Sequence, residues 1–192
     1  MPGNAYEKVV DIAADQFGYV TTSQAGEQGV TDNALRMMAT RGTLERVSRG
    51  VYRVPTFPLS PYAEYMEASL WPAGVRGVIS HQSALALRGL SDVSPSAIHI
   101  TVPDDFRIRR DVPAHLVVHH ADLTDEDITL FEGIPTTTVA RTIEDCHGAH
   151  LGPALLRQAL EDAKREGFLS PAETTDLRKR VLPQAVPGNG GE

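Results

Sequence analysis

The sequence predicts an α+β protein in two parts. Three short helical periodicities close on a Gly-turned hairpin within the first 57 residues. Two prolines, Pro55 and Pro58, then end that pattern, and beyond them alternating strands mix with amphipathic helices. A length of 192 residues fits one domain or two modest ones, and 41% hydrophobic with 22% charged residues allows a sizeable core. The expected division is 1–57 and 58–182, with a Pro/Gly-rich, disordered tail over 183–192.

Within the first part, Val9, Val10, Ala13 and Phe17 recur at helical spacing over Tyr6 to Gln16, and Phe17-Gly18 ends the helix. Thr21-Thr22-Ser23 offers hydroxyl N-caps for a short helix through Gln28, which Gly29 terminates. Thr31 caps a third helix, Asp32 to Arg41, with an acid at its positive end. Leu44–Val47 and Val51–Val54 read as strands joined by Ser48-Arg49-Gly50. Helix, helix, tight turn, helix, hairpin is the order of a winged helix-turn-helix.

On the third helix, Leu35, Met38 and Ala39 form a stripe that can pack inward. Asn33, Arg36, Met37 and Thr40 form a second stripe. Arg and Asn are the side chains shaped to read guanine and adenine edges bidentately, so this stripe suits the major groove. The expected DNA-binding residues are Asn33, Arg36 and Thr40 on bases, with Thr22, Ser23, Arg41, Arg46 and Arg49 on the backbone. An Arg-bearing amphipathic helix can also be a solvated face, and winged helices also serve as protein-interaction modules.

The net charge of −7 would argue against a nucleic-acid partner if it were evenly spread. Residues 1–54 carry six basic and six acidic groups, whereas the remaining 138 carry twelve against nineteen. Residues 31–54 hold five Arg against two acids, so basic character gathers in the third helix and the hairpin.

In the second part, helices are predicted at Leu59–Trp71, Gln82–Leu90, Val139–His147, Pro153–Glu166 and Pro171–Arg180. Val78–His81 leads into the second of these. Strands are predicted at Ile98–Val102 and Leu116–His120, and Ile128–Phe131 with Ile134–Thr137 flank Glu132-Gly133 as a hairpin. The sequence shows no internal repeat.

The run Gly18-Tyr19-Val20-Thr21-Thr22, then Gly29-Val30, Leu35 and Arg41-Gly42-Thr43-Leu44-Glu45-Arg46-Val47-Ser48-Arg49-Gly50-Val51-Tyr52, resembles the N-terminal winged helix of AbiEi-type antitoxins. Ile79 to Leu90 and Gly133 to Asp145 resemble the start and the hairpin-to-helix segment of that family's C-terminal domain, so the likeness covers about residues 5–180. The resemblance implies a winged helix followed by a mixed α/β antitoxin domain, in a bacterial protein with two tasks. The first domain would repress its own operon by binding double-stranded operator DNA, as a pair on repeated half-sites. The second would counter a cognate nucleotidyltransferase-like toxin of the AbiEii type, with or without direct contact. Alternatives are a winged-helix module that binds the toxin and no DNA, or a stand-alone transcriptional regulator.

Related bacterial proteins join such a module to a nuclease-like domain, which needs an Asp followed by an acid-x-Lys on the next strand. Only Asp104 and Asp162-Ala163-Lys164 qualify by type, and the latter falls in a predicted helix some sixty residues away. His119 and His120 point to opposite faces of a strand, and His115 shares the face of His119 without a visible third ligand, so they read as surface histidines. Cys146 reads as a buried thiol, and the acids Asp122, Asp125, Glu126 and Asp127 as a capped turn. No Gly-rich phosphate loop is present. The expectation is therefore a protein with no enzymatic activity, no cofactor and no metal. No apolar run approaches the ~18–20 residues of a membrane span, the N-terminus lacks a basic start, and the single Cys146 excludes an intrachain disulfide framework, so a cytoplasmic location is expected.

Overall fold

A computed structural model describes residues 2–72 and 74–182; the expected tail at 183–192 lies outside them. The protein is mixed α and β, with an N-terminal helical region and a small sheet that together form the winged helix.

Helix α1 (Pro2–Ala14) leads into a short strand β1 (Tyr19–Thr21), α2 (Thr22–Glu27) and α3 (Asp32–Thr40). Strands β2 (Glu45–Ser48) and β3 (Val51–Arg53) form the wing. Thr21 caps α2: its hydroxyl accepts from the Gln24 amide at 3.2 Å, and the Gln24 side chain returns to the Thr21 amide at 3.0 Å. Thr31 caps α3 through the Ala34 amide at 3.2 Å. Gly29, at φ +75°, makes the turn between the two helices in a conformation that costs an L side chain energy.

The N-terminal core joins Val9 and Ala13 of α1 to Val20, Ala25, Val30, Leu35, Leu44, Tyr52 and Val54. Leu35 is fully buried, and Met38 and Ala39 pack beside it, as the inward stripe on α3 requires. Strand β1, like the two-residue β strand at Val78–Ile79, is an element that sequence periodicity missed. Three residues are too few to show alternation, yet they pair antiparallel with β3 and give the sheet order β1-β3-β2.

The second part contains α4 (Ala63–Leu70), β4 (Val78–Ile79), α5 (His81–Leu87), β5 (Ile98–Val102), β6 (Leu116–His120), β7 (Ile128–Phe131), β8 (Ile134–Thr137), α6 (Val139–Gly148), α7 (Pro153–Arg165) and α8 (Pro171–Val181). Helix α4 begins four residues later than the sequence suggests, because Pro58 and Pro61 hold the preceding segment out of the helical region. Strand order is β6-β5-β4-β8-β7; β5/β6 and β4/β8 are parallel, and β4/β5 and β7/β8 antiparallel. Helices α6, α7 and α8 close a separate core around Ile143, Leu156, Leu160 and Leu177. No helix among the described residues is long and apolar enough to cross a membrane.

The two parts share apolar packing. Tyr19 and Val51 of the small sheet are buried in one cluster with Met66, Trp71, Ile79 and Ile100. The Tyr19 hydroxyl also donates to Glu67 at 3.4 Å, and burial beside that carboxylate pushes the phenol up to about 12.

Candidate nucleic-acid interface

The structure exposes most of the residues selected from sequence. Asn33, Arg36 and Thr40 lie on the outer stripe of α3, and Met37 stands 43% exposed among them. Ser23, Arg41, Arg46 and Arg49 are also exposed. Thr22 is half-buried, and its amide donates to the Gly50 carbonyl at 2.9 Å. That bond clamps the wing turn to the first residue of α2, so the wing is held against the helix-turn-helix instead of hanging from it.

Two of the outer residues have local partners. Arg36 pairs with Asp32 one turn earlier, and the Thr40 hydroxyl donates back to the Arg36 carbonyl at 3.0 Å. The i,i+4 ion pair is exposed, so it contributes only about 0.3–0.5 kcal/mol. So weak a net pairing leaves the guanidinium able to exchange Asp32 for another acceptor. Arg53, one of the five Arg in the basic segment, is structural: it is 8% exposed, donates to the Phe57 carbonyl at 2.7 Å and lies 3.6 Å from Glu45.

Sequence reasoning missed a second basic element next to the wing. In the segment between β5 and β6, Phe106, Ile108 and Arg110 are partly buried, whereas Arg107 and Arg109 point outward. The Arg110 guanidinium lies over the Trp71 ring, 4.4 Å from its centroid, and donates to the Arg49 carbonyl at 2.9 Å. Arg49, Arg107, Arg109 and Arg110 thereby line one groove of about 690 Å³, together with Trp71 and Asp105. The signal was present as three Arg in the four residues 107–110. Summing charge over the whole acidic second part concealed it.

Residues 7–55 match the model of a family described as "Transcriptional regulator, AbiEi antitoxin". The N-terminal module is similar to that family over these residues. No curated protein matches the chain. Among solved structures, the crystal structure of the RV2827C protein from Mycobacterium tuberculosis is similar at 20% identity and a TM-score of 0.51, over 92% of this chain and 71% of that one. That likeness concerns the fold. The matched residues carry the whole expected recognition helix and wing, and the Arg107–Arg110 segment lies outside them.

The other candidate chemistries resolve into structural roles with one exception. Asp162 is on helix α7, 8% exposed, accepting from the Ser91 amide at 2.9 Å and pairing with Arg165 at 2.6 Å. Cys146 is fully buried, and burial raises its thiol to about 12. Asp127 closes a capping box with Thr124 and pairs with Arg141 at 3.1 Å, so the acidic run is a capped turn.

The exception corrects the reading of the histidines. His119 does not partner His115, which lines a different pocket beside Glu67. It stacks on His81 and meets His99; His81 is buried and His99 and His119 half-buried, whereas His115 and His120 are exposed as expected. Burial first, and neighbouring imidazoles second, push His81 down to about 3 and His119 to about 4; burial also lowers His99.

Proposed function

We propose that this protein is an antitoxin that represses its own operon through the winged helix and counters a nucleotidyltransferase-like toxin of the AbiEii type through residues 58–182. The observation that supports the DNA-binding half is the exposed Asn33, Arg36, Met37 and Thr40 stripe on α3, beside a wing turn clamped to α2. In this reading Asn33, Arg36 and Thr40 address base edges in the major groove. Thr22, Ser23, Arg41, Arg46 and Arg49 position the phosphate backbone, and Arg107 and Arg109 extend the same basic surface. The family description supports the regulatory and antitoxin roles together.

The test is a gel shift of the full chain on the DNA upstream of its own gene. A specific shift at low salt is expected, and its absence would favour a module that binds the toxin alone. Arg49→Ala should weaken binding about evenly across sequences and flatten the log-log salt slope by roughly one unit; an unchanged slope removes the wing from the interface. Arg36→Ala should cost about 1–3 kcal/mol at one base-pair position. Equal loss on random DNA would contradict a base-reading role. Toxin neutralisation is tested by co-expressing the full chain with the neighbouring reading frame: rescue of growth is expected, and the lack of a nucleotidyltransferase-like frame beside this gene would remove that half of the proposal.

A further inference from the structure

Three histidines from three separate elements meet on one face of the larger sheet. His81 opens α5 directly after β4, His99 lies on β5 and His119 on β6. The parallel register pairs His99 with Val117 and Thr101 with His119, so His99 and His119 are diagonal neighbours on the same side. His99 Nδ1 and His119 Nε2 are 2.9 Å apart. The His81 and His119 rings stack at 3.6 Å between centroids, 13° from parallel. One ring nitrogen from each of the three lies within 4.8 Å of the others.

We infer that His81, His99 and His119 bind one divalent transition-metal ion of the zinc class. A tetrahedral ion with Zn–N bonds near 2.0–2.1 Å separates its ligand nitrogens by about 3.4 Å. The His99–His119 pair therefore opens by about half an ångström, His81 closes by at most about 1.4 Å, and the His81 ring turns out of its stack on His119 so that its lone pair meets the ion in the ring plane, all by side-chain torsions. The proton shared between His99 and His119 moves to the other nitrogen of its ring, leaving both facing nitrogens as donors. Three imidazoles without a carboxylate select zinc, cobalt, nickel or copper over magnesium or calcium. The fourth position is left to water.

The surroundings of His81 match a supported ligand. Its Nδ1 lies 2.9 Å from Ser80 Oγ, which accepts a hydrogen bond from Thr101 Oγ1 at 2.7 Å. With Nδ1–H donating to Ser80, the Nε2 lone pair is free and the ring is oriented from behind, as metal-bound imidazoles are. His81 also holds a left-handed backbone conformation at φ +52°, which an L residue with a bulky ring adopts at a cost. The positive charge of Arg141 also acts on His81, and Asp127 and Asp145 neutralise it at 3.1 and 2.8 Å.

The test uses the full chain freed of metal with a chelator and titrated with Co²⁺, then Zn²⁺. One equivalent of Co²⁺ should produce the visible bands of a tetrahedral site, and Zn²⁺ should bleach them, whereas Mg²⁺ and Ca²⁺ should not. His99→Ala and His119→Gln should each abolish the bands, and His115→Ala and His120→Ala should leave them unchanged. Ser80→Ala, which removes only the orienting hydroxyl, should weaken binding about 10-fold or more. Should a ligand variant fail to fold, Zn²⁺ titration of the unaltered chain followed by imidazole NMR decides the matter: shifts confined to His81, His99 and His119 support the site. No Co²⁺ bands, or shifts centred on other histidines, would reduce the cluster to a stack of buried rings. Neither outcome depends on DNA or toxin binding.

Discussion

Trp71→Ala should lower stability by about 3–5 kcal/mol and weaken operator binding in the same variant. Trp71 is 5% exposed and sits in the cluster that joins Tyr19 and Val51 of the small sheet to Met66, Ile79 and Ile100. Truncating a buried aromatic removes its transfer free energy and leaves a cavity that a close-packed core only partly fills. The ring is also the platform for Arg110, which in turn holds the wing through the Arg49 carbonyl. Stability is read from denaturant unfolding by circular dichroism, because the substitution removes the chain's single Trp. Operator affinity is then measured well below the midpoint. Arg110→Ala separates the two effects: it should cost only about 0.5–2 kcal/mol of stability but share the loss in binding. A Trp71→Ala cost under about 1 kcal/mol would mean that the two parts are held together elsewhere.

Arg88→Ala should destabilise the second part by about 2–4 kcal/mol. Its guanidinium is withdrawn from water at the end of α5 and donates to the Ala84 carbonyl at 3.2 Å, to the Thr137 carbonyl at 2.9 Å and to the Thr136 hydroxyl. The Phe131 ring covers it at 5.7 Å, and burial lowers its pKa to about 10. Among the described residues no carboxylate pairs with it, so backbone and hydroxyl oxygens, with the Phe131 ring, compensate for burying the charge. Removing the side chain orphans acceptors at the β8–α6 junction, at roughly 1–3 kcal/mol each before relaxation. Arg88→Lys should recover only part of the loss, since an ammonium cannot reproduce the fork that reaches α5 and β8 at once. Thermal unfolding should register about 2–4 °C per kcal/mol for a chain of this size. A midpoint equal to that of the unaltered protein would show that water already satisfies these carbonyls.

The winged helix was legible because its determinants are local. Thr31 caps α3, Gly29 and Gly42 end helices at positive φ, and Leu35 with Met38 and Ala39 lies one helical turn apart; each signal is complete within a few residues. The β7–β8 hairpin was equally plain, from alternation on either side of Glu132-Gly133. Strand β1 was not, because a three-residue strand owes its existence to pairing with β3 over thirty residues away. Helix α4 was drawn too long, because the apolar periodicity that starts at Tyr62 was extended back to Leu59 across Pro61.

By itself the sequence determined the third helix, its outward Asn33, Arg36 and Thr40, and the hairpin carrying Arg49, since helical period and turn chemistry place side chains on faces without reference to the rest of the chain. Only the tertiary structure decided which distant groups meet. Parallel pairing of β5 with β6 brings His99 against His119, and the β4–α5 junction adds His81. Packing of the β5–β6 segment on Trp71 sets Arg107 to Arg110 beside Arg49. Both assemblies depend on crossovers between strands, and a linear pattern of residues holds no record of which face a crossover returns to.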